Sequence, residues 1–527
     1  MYNPGIIYFA GTVIMLLVKN KYKKIITIMI PLLTILLVYN LPENSDLVIP
    51  YLNFEIVLYQ YHPVSQIIAF IFSSFGLIAV IYSINFNTDK HFLLLNLYIG
   101  SSISILFSGD FFSFLIFWEL MTVSSYFLIY SFNNKFLKKS SLYYLVFHII
   151  GGLSLLLGVI IQYIYTGSIS LTEVSYGIPF FGLAVGIKLA FIGLHYWLPK
   201  NYARVPFHIS VILSAYTTKV GVYAFYKLMG EVKLEYIGVV LAITGVLLAL
   251  KQVRLRKILS YHLMSQTGYM LTGIAIGTDA GISGGFFHVV NHILYKGLLF
   301  MAAGCVIFST GEEDLTYLGG LYKKLPFAMI ATLIGSLAIS GFPLLNGYLS
   351  KLLIKKSVMD NSLIYYGLMI ASTGTALSFM KLTYYTFFNE GEVTLINKPG
   401  KAMKIGMAVA ILLIVLIGIN PFIFQYLFSL NFKIYFFTFK NIISGLIPIL
   451  FAIPLFVLIS DIIKPSAHSE KDGLFFSFLK KPDVYLEKII HNKNYKISSY
   501  IYNSIYLDLH FQLMWVFLLL IILLWWS

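Results

Sequence analysis

His288, His292 and Lys296 follow one another at intervals of four in the stretch HVVNHILYKGLLF. On a helix, residues i, i+4 and i+8 stack over about 12 Å of one face, with Asn291 at its edge. Imidazole titrates near neutral pH and either nitrogen can give or take a proton. An amine withdrawn from water can become a reversible proton store instead of a fixed cation. Types and spacing therefore suit a proton relay. Two alternatives stay open: structural hydrogen bonding, and a histidine pair holding a metal. The metal reading lacks a Cys or carboxylate to close the site, and Lys296 would repel the ion.

Further titratable residues interrupt apolar text in the same way. Glu119 is the only acid in FLIFWELMTVSSYFLIY, and Lys188, in GLAVGIKLAFIGLHYW, is its natural partner. Moving that pair apart or together would couple its electrostatics to proton release. Lys219, in VILSAYTTKVGVYAFY, supplies the next amine before Lys296. For Lys188 and Lys219 static charge balance is the competing role. His148, His195 and His262 are candidate auxiliary relay groups, with a structural role competing at His195. His208 is weighed in the same way. Lys351 is read as the exit-side amine or as a helix-end residue snorkelling to water, and Lys381 stays undecided.

Such groups would be costly against lipid, so the elements carrying them must turn them into the bundle or a wetted cavity. The chain has 527 residues, of which 59% are hydrophobic and 11% charged, with mean hydropathy +0.84. Continuous apolar runs of helical length recur throughout, which predicts an all-α polytopic membrane protein and argues against an alternating β-barrel. About sixteen spans are expected, near 5–18, 25–40, 64–84, 92–109, 111–131, 140–163, 179–198, 207–229, 235–250, 258–277, 283–308, 326–350, 363–386, 404–428, 440–463 and 511–526. The first, followed by Lys19–Lys24, reads as a retained span and not a cleaved signal.

The net charge of +15 sits largely in short connections, where it orients helices and meets lipid headgroups, so nucleic acid is excluded as a partner. Lys135/Lys138/Lys139, Lys200/Arg204 and Lys251/Arg254/Arg256/Lys257 alternate with Glu43/Asp46, Glu173 and Glu231/Glu235. This asymmetry predicts an N-terminus outside a cell membrane. The single Cys305 rules out an internal disulfide and a multi-cysteine metal or iron–sulfur site. With no nucleotide-binding glycine motif either, no cofactor and no metal are expected.

LAFIG at 189–193 recurs as LAISG at 337–341, and the same offset of 148 pairs His148 with Lys296. An offset spanning five helices would invert one copy across the membrane, as in many transporters. Pro199 in the first copy, and Gly341, Pro343, Asn346 and Gly347 in the second, are candidate helix interruptions.

FWELMTVSSYFLIY, GIKLAFIGLHYWLPKNYARVP, SAYTTKVGVYAFYKL, HVVNHILYKGLLFMAAG and SGFPLLNGYLSK together resemble the antiporter-like membrane subunits shared by respiratory complex I, membrane-bound hydrogenases and multisubunit cation/proton antiporters. The Lys219 context is similar to the D-type antiporter subunits and their hydrogenase counterparts. The resemblance implies two inverted five-helix repeats with broken helices and a central charged row. It casts Glu119 and Lys188 as the first-half pair, Lys219 as the bridge, Lys296 with His288 and His292 as the central second-half group, and Lys351 as the distal lysine.

The expected divisions are N-terminal helices over 1–90, repeats over 91–230 and 231–390, C-terminal helices over 391–463, a connector or lateral amphipathic helix over 464–510, and an anchor over 511–527. The expected function is proton translocation through the Glu/Lys/His row, inside an energy-converting redox or cation/proton antiporter complex and compatible with sodium exchange. The expected partners are other membrane subunits, protons, sodium ions and lipids. A self-contained secondary transporter and a noncatalytic scaffold are the alternatives.

Overall fold

Apolar runs of this length fold as helices because a lipid-embedded backbone must satisfy its own hydrogen bonds. The computed structural model describes residues 2–43, 45–132, 134–172, 174–230, 232–423 and 435–466. Most of the 464–510 segment and the whole 511–527 anchor lie outside the described residues. Among the described residues, eight helices are long and apolar enough to cross a membrane by length and composition. The chain is thus a polytopic helical membrane protein.

Helices α1 (Ile6–Leu17), α2 (Asn20–Tyr39) and α3 (Pro63–Ser83) come first. A β-hairpin, β1 (Asp46–Tyr51) and β2 (Phe54–Gln60), interrupts them and departs from the all-helical expectation. Its β-branched and aromatic residues suit a short pleated ribbon. The Val57 amide donates to the Asp110 carboxylate (2.8 Å), which ties the hairpin to the start of α5.

Five elements follow: α4 (Asp89–Leu106), α5 (Phe111–Tyr130), α6 (Lys135–Thr166), the pair α7 (Ile178–Lys188) and α8 (Trp197–Tyr202), and α9 (Phe207–Met229). The next five are α10 (Glu235–Lys251), α11 (Leu255–Ala275), α12 (Asp279–Thr310), the pair α13 (Pro326–Ser340) and α14 (Asn346–Ser357), and α15 (Ser362–Thr383). A π-helical turn, Tyr384–Phe388, extends α15. Helices α16 (Lys401–Ile419), α17 (Phe439–Leu458) and the short α18 (Ser460–Ile463) close the described chain.

The runs at 179–198 and 326–350 are each two helices. In the first, the break covers 189–196, ahead of Pro199, where Ala190 (φ 58°) and Gly193 (φ 85°) turn left-handed. Pro199 instead sits in the first turn of α8, where its missing N–H leaves no helical bond unmade. In the second, Gly341 (φ 84°) ends α13 and Leu344 (φ 69°) redirects the chain into α14, which runs on to Ser357. A side chain at 193 or 341 would be strained in that conformation.

Helix α12 is the hub, packed against α3, α9, α11, α13, α14 and α16. Of its apolar window 83% is buried inside the protein, against 28% for the peripheral α2 and α17. Polar residues on α12 therefore meet other helices from every side, and the ladder of His288, His292 and Lys296 lies at its centre.

Candidate functional site

The first cluster forms where α5, α6 and the α7 break meet. Asp110 caps α5 by accepting from the amides of Phe112 (2.7 Å) and Ser113 (2.8 Å), which sets the register of Trp118, Glu119 and Thr122 farther along. Lys188 is the last residue of α7, where unpaired carbonyls favour a cation. Its ammonium lies 4.3 Å from the Trp118 ring centre and donates to Thr122 Oγ1 at 3.4 Å. The Trp197 indole donates to the Ile187 carbonyl (2.9 Å) and so satisfies part of that helix end.

Glu119 is half-buried on the α5 face that carries the exposed Ile116 and Val123. Its Oε1 is shielded and has no hydrogen-bond partner. The carboxylate packs over Gly152 of α6, where a Cβ would overlap it. Glu119 and Lys188 act on each other electrostatically. They do not form a direct ion pair, unlike Lys23–Asp89 and Arg256–Glu313. Thr122 and Trp118 hold the lysine instead.

His148 is buried between the rings of Tyr144 (4.2 Å) and Trp197 (4.6 Å), within the field of Lys188, and neither ring nitrogen has a partner. His195 lies in the α7–α8 break, stacked on Tyr196 at 4.5 Å with Tyr261 at 6.2 Å. His208 packs against Phe86 (5.6 Å) at the start of α9, away from the lysines.

Lys219 links this cluster to the next. It is fully buried, and its Nζ donates to the Ser214 carbonyl at 2.6 Å. Tyr98 enters the same turn of α9, accepting from the Thr217 amide (3.2 Å) and bonding the Thr217 hydroxyl (2.7 Å). Side chains inserted into a helical ladder loosen it locally. Gly221, two residues on, lets α9 approach α7: a Cβ there would stand 3.0 Å from Lys188 Cβ. On its other side, the field of Lys219 reaches His288, His292 and Lys296.

The second cluster is built on α12. His288 Nδ1 pairs with Ser350 Oγ (2.9 Å), and its Nε2 faces Gln266 Oε1 (3.0 Å) and Tyr295 Oη (3.3 Å). Gln266 of α11 and Ser350 of α14 thus hold the His288 ring from both sides. The ring of His292 is 6.3 Å from that of His288, yet neither of its nitrogens has a partner. The Lys296 ammonium is likewise unpartnered, 5.7 Å from each of the Phe300 and Phe379 ring centres. His262 Nε2 pairs with Ser378 Oγ (2.9 Å), and its ring meets Phe379 (4.6 Å). The fields of Lys296 and Lys351 both reach His262.

Asn291 Nδ2 donates to the Asn346 carbonyl (2.8 Å) and Ser350 Oγ (3.1 Å), while Asn346 Nδ2 returns a bond to the Asn291 carbonyl (3.4 Å). These bonds fasten the start of α14 beside the ladder. Lys351 is 3% exposed and lies 4.8 Å from the Tyr269 ring centre, so it does not snorkel. Lys381 donates to the carbonyls of Leu250 (2.7 Å) and Gln252 (2.9 Å), which makes it the C-terminal cap of α10. No group of three or more His, Cys, Asp or Glu that could hold a metal occurs among the described residues.

Gln266, Ser350 and Thr122 were not singled out from the sequence. Gln266 stands four residues after His262, the same spacing that exposed the α12 ladder, so that signal was available. Ser350 and Thr122 are ordinary helix residues by type, and only the packing of α14 on α12 and of α7 on α5 gives them a role.

A family model described as NADH:quinone oxidoreductase/Mrp antiporter, TM matches residues 108–378, just over half of the chain. The sequence is similar to the D-type component of a Na(+)/H(+) antiporter from Alkalihalophilus pseudofirmus, 29% identical over 312 residues, which are 54% of this chain and 63% of that protein. It is also similar to hydrogenase-4 component B of Escherichia coli, 29% identical over 293 residues, 49% of this chain and 43% of that protein. The matches thus span less than two thirds of either relative. The fold is shared with a chain of the Mrp complex from Dietzia sp. DQ12-45-1b (TM-score 0.69, 20% identity, 81% of this chain and 92% of that one). It is shared as well with a chain of an archaeal membrane-bound sulfane sulfur reductase (TM-score 0.71, 23% identity, 81% and 94%).

Proposed function

From the premise that the chain belongs to the NADH:quinone oxidoreductase/Mrp antiporter membrane family, we propose that it is a proton-conducting subunit of a multisubunit energy-converting or cation/proton antiporter complex. One observation carries this reading: a row of titratable groups, buried apart from the half-buried Glu119, each within the field of the next or joined through packed helices. It runs from Glu119 and Lys188, with His148, through Lys219 to His292 and Lys296, then through His262 and His288 to Lys351. Protons pass between these groups directly or through bridging water. His195, in the first break, is an auxiliary group.

Two five-helix units, 91–230 and 231–390, organise the row as inverted repeats. Supporting this is the order of matching lengths: 18 and 17 residues for α4 and α10, 20 and 21 for α5 and α11, 32 each for α6 and α12, then a broken helix and a helix of 23 or 22. The left-handed glycines 193 and 341 recur at the offset of 148. About sixteen spans, with the N-terminus outside, complete the topology. A neighbouring membrane subunit covers the α5 face that bears Glu119, since a half-exposed carboxylate against lipid is unfavourable. Sodium exchange belongs to the complex as a whole.

The test is proton and sodium flux in proteoliposomes holding the assembled complex, with wild type, Lys219→Ala and Lys296→Ala compared at equal assembly. Proton flux should fall by about a hundredfold in each variant. Wild-type flux in both, in intact complexes, would refute the reading.

A further inference from the structure

Lys355 stands one turn beyond Lys351 on α14, about 6 Å farther along the axis. It is 5% exposed, and no acidic partner is recorded for it among the described residues. Its Nζ donates to the Ser444 carbonyl of α17 at 2.9 Å, with Ser444 Oγ at 3.5 Å and Met369 Sδ of α15 at 3.9 Å. Lys351 is the buried charged group nearest along the helix, and it lies in the field of Lys355. One residue beyond Lys355 the helix reaches the surface: Lys356 is half-buried and in the field of the exposed Lys440, while Met359 and Asp360 are exposed.

A buried amine without a counter-charge is an expensive way to bond a single carbonyl, which a neutral donor would do as well. The arrangement gains a purpose if the amine spends part of its time neutral. Two like charges one turn apart in a low-dielectric helix pair repel, so a proton arriving on one favours departure from the other. α14 then forms a two-step ladder leading from the helix break to the surface.

We propose that Lys355 is a further proton-carrying residue, the last amine between Lys351 and water at the C-terminal end of α14. In the step, an N–H bond of the Lys351 ammonium breaks and one forms on the neutral Lys355 amine, directly or through one water. Lys355 then releases the same proton to water beyond Lys356, and the Ser444 carbonyl holds the amine in its resting position. This inference rests on the conduction reading above, which it extends to an exit.

The experiment compares wild type, Lys355→Met, Lys355→Arg, Lys219→Ala and Lys296→Ala in the assembled complex, by proton flux in proteoliposomes and by subunit content. Arginine keeps the charge and can donate to the Ser444 carbonyl but does not give up its proton. A conducting Lys355 therefore predicts that both of its variants lose at least about tenfold in flux with the complex intact. A structural Lys355 predicts rescue by arginine, and that result overturns the proposal. Wild-type flux in Lys355→Met, alongside loss in Lys219→Ala, overturns it while leaving the conduction reading standing. If Lys219→Ala and Lys296→Ala also conduct normally, the conduction reading falls and this proposal with it. If neither Lys355 variant assembles, the residue belongs to packing and the proposal is likewise overturned.

Discussion

The Glu119–Lys188 region and the His288–Lys351 region both bury lysine amines but balance them differently. In the first, a carboxylate lies beside the lysine, and Thr122, Trp118 and the end of α7 share the ammonium. In the second, three imidazoles and two lysines are buried together. The buried acids among the described residues, Asp110 and Glu235, both sit at helix N-termini away from it. The first region is electrically neutral overall when its carboxylate and amine share one proton. The second has no acid to offset the protons it takes, and in a low-dielectric interior its amines cannot all be charged at once.

Within the second region a finer contrast separates two histidines one turn apart. His288 has both nitrogens engaged by groups that do not titrate near neutral pH, whereas His292 has none engaged. The first is held by Gln266 of α11 and Ser350 of α14, and the second is packed without a hydrogen bond, its ring 5.4 Å from that of Tyr295.

The largest effect that would break this comparison is on conduction. Gln266→Glu places a carboxylate beside His288 and gives the second region the counter-charge it lacks. Proton flux should drop about tenfold or more with assembly intact, and unchanged flux in proteoliposomes would mean that the missing acid is incidental. Next in size is stability at the Arg256 clasp, which bonds Glu313 Oε2 (2.8 Å), the Val205 carbonyl and Ser210 Oγ (3.3 Å). Arg256→Ala should destabilise the protein by about 3 kcal/mol, because it strands a partly buried carboxylate. Thermal unfolding in detergent reads this out, and a melting temperature equal to wild type would contradict it.

A smaller effect tests the pair itself. Glu119→Gln and Lys188→Met should each lower stability, and the double variant should be less damaged than their sum by about 1 kcal/mol. Strict additivity in a double-mutant cycle would mean that the two groups are independent, and the first region would lose its claim to internal balance. Lys381→Met should act least on conduction, with flux preserved and about 2 kcal/mol of stability lost from uncapping α10. Loss of flux there would move Lys381 from the scaffold into the row.

The sequence by itself determined that this is a helical membrane protein and which residues are too polar for their surroundings. Both are local properties: the length of an apolar run, and a charge within it. The α12 ladder, for example, follows from four-residue spacing alone, and the resemblance ordered Glu119, Lys188, Lys219 and Lys351 around it. Only the tertiary structure decided what those residues touch. Lys351 and Lys381 look alike in sequence, each a lysine near the end of an apolar run, yet one faces Tyr269 without a hydrogen bond and the other caps α10. The break before Pro199 depends on the left-handed turns at 190 and 193, and the tether on His288 depends on Gln266 and Ser350 arriving from two other helices. Hydrophobicity is summed along one stretch of chain and can be read from it. A hydrogen bond requires a partner that folding brings from tens of residues away, and no local pattern encodes where that partner will be.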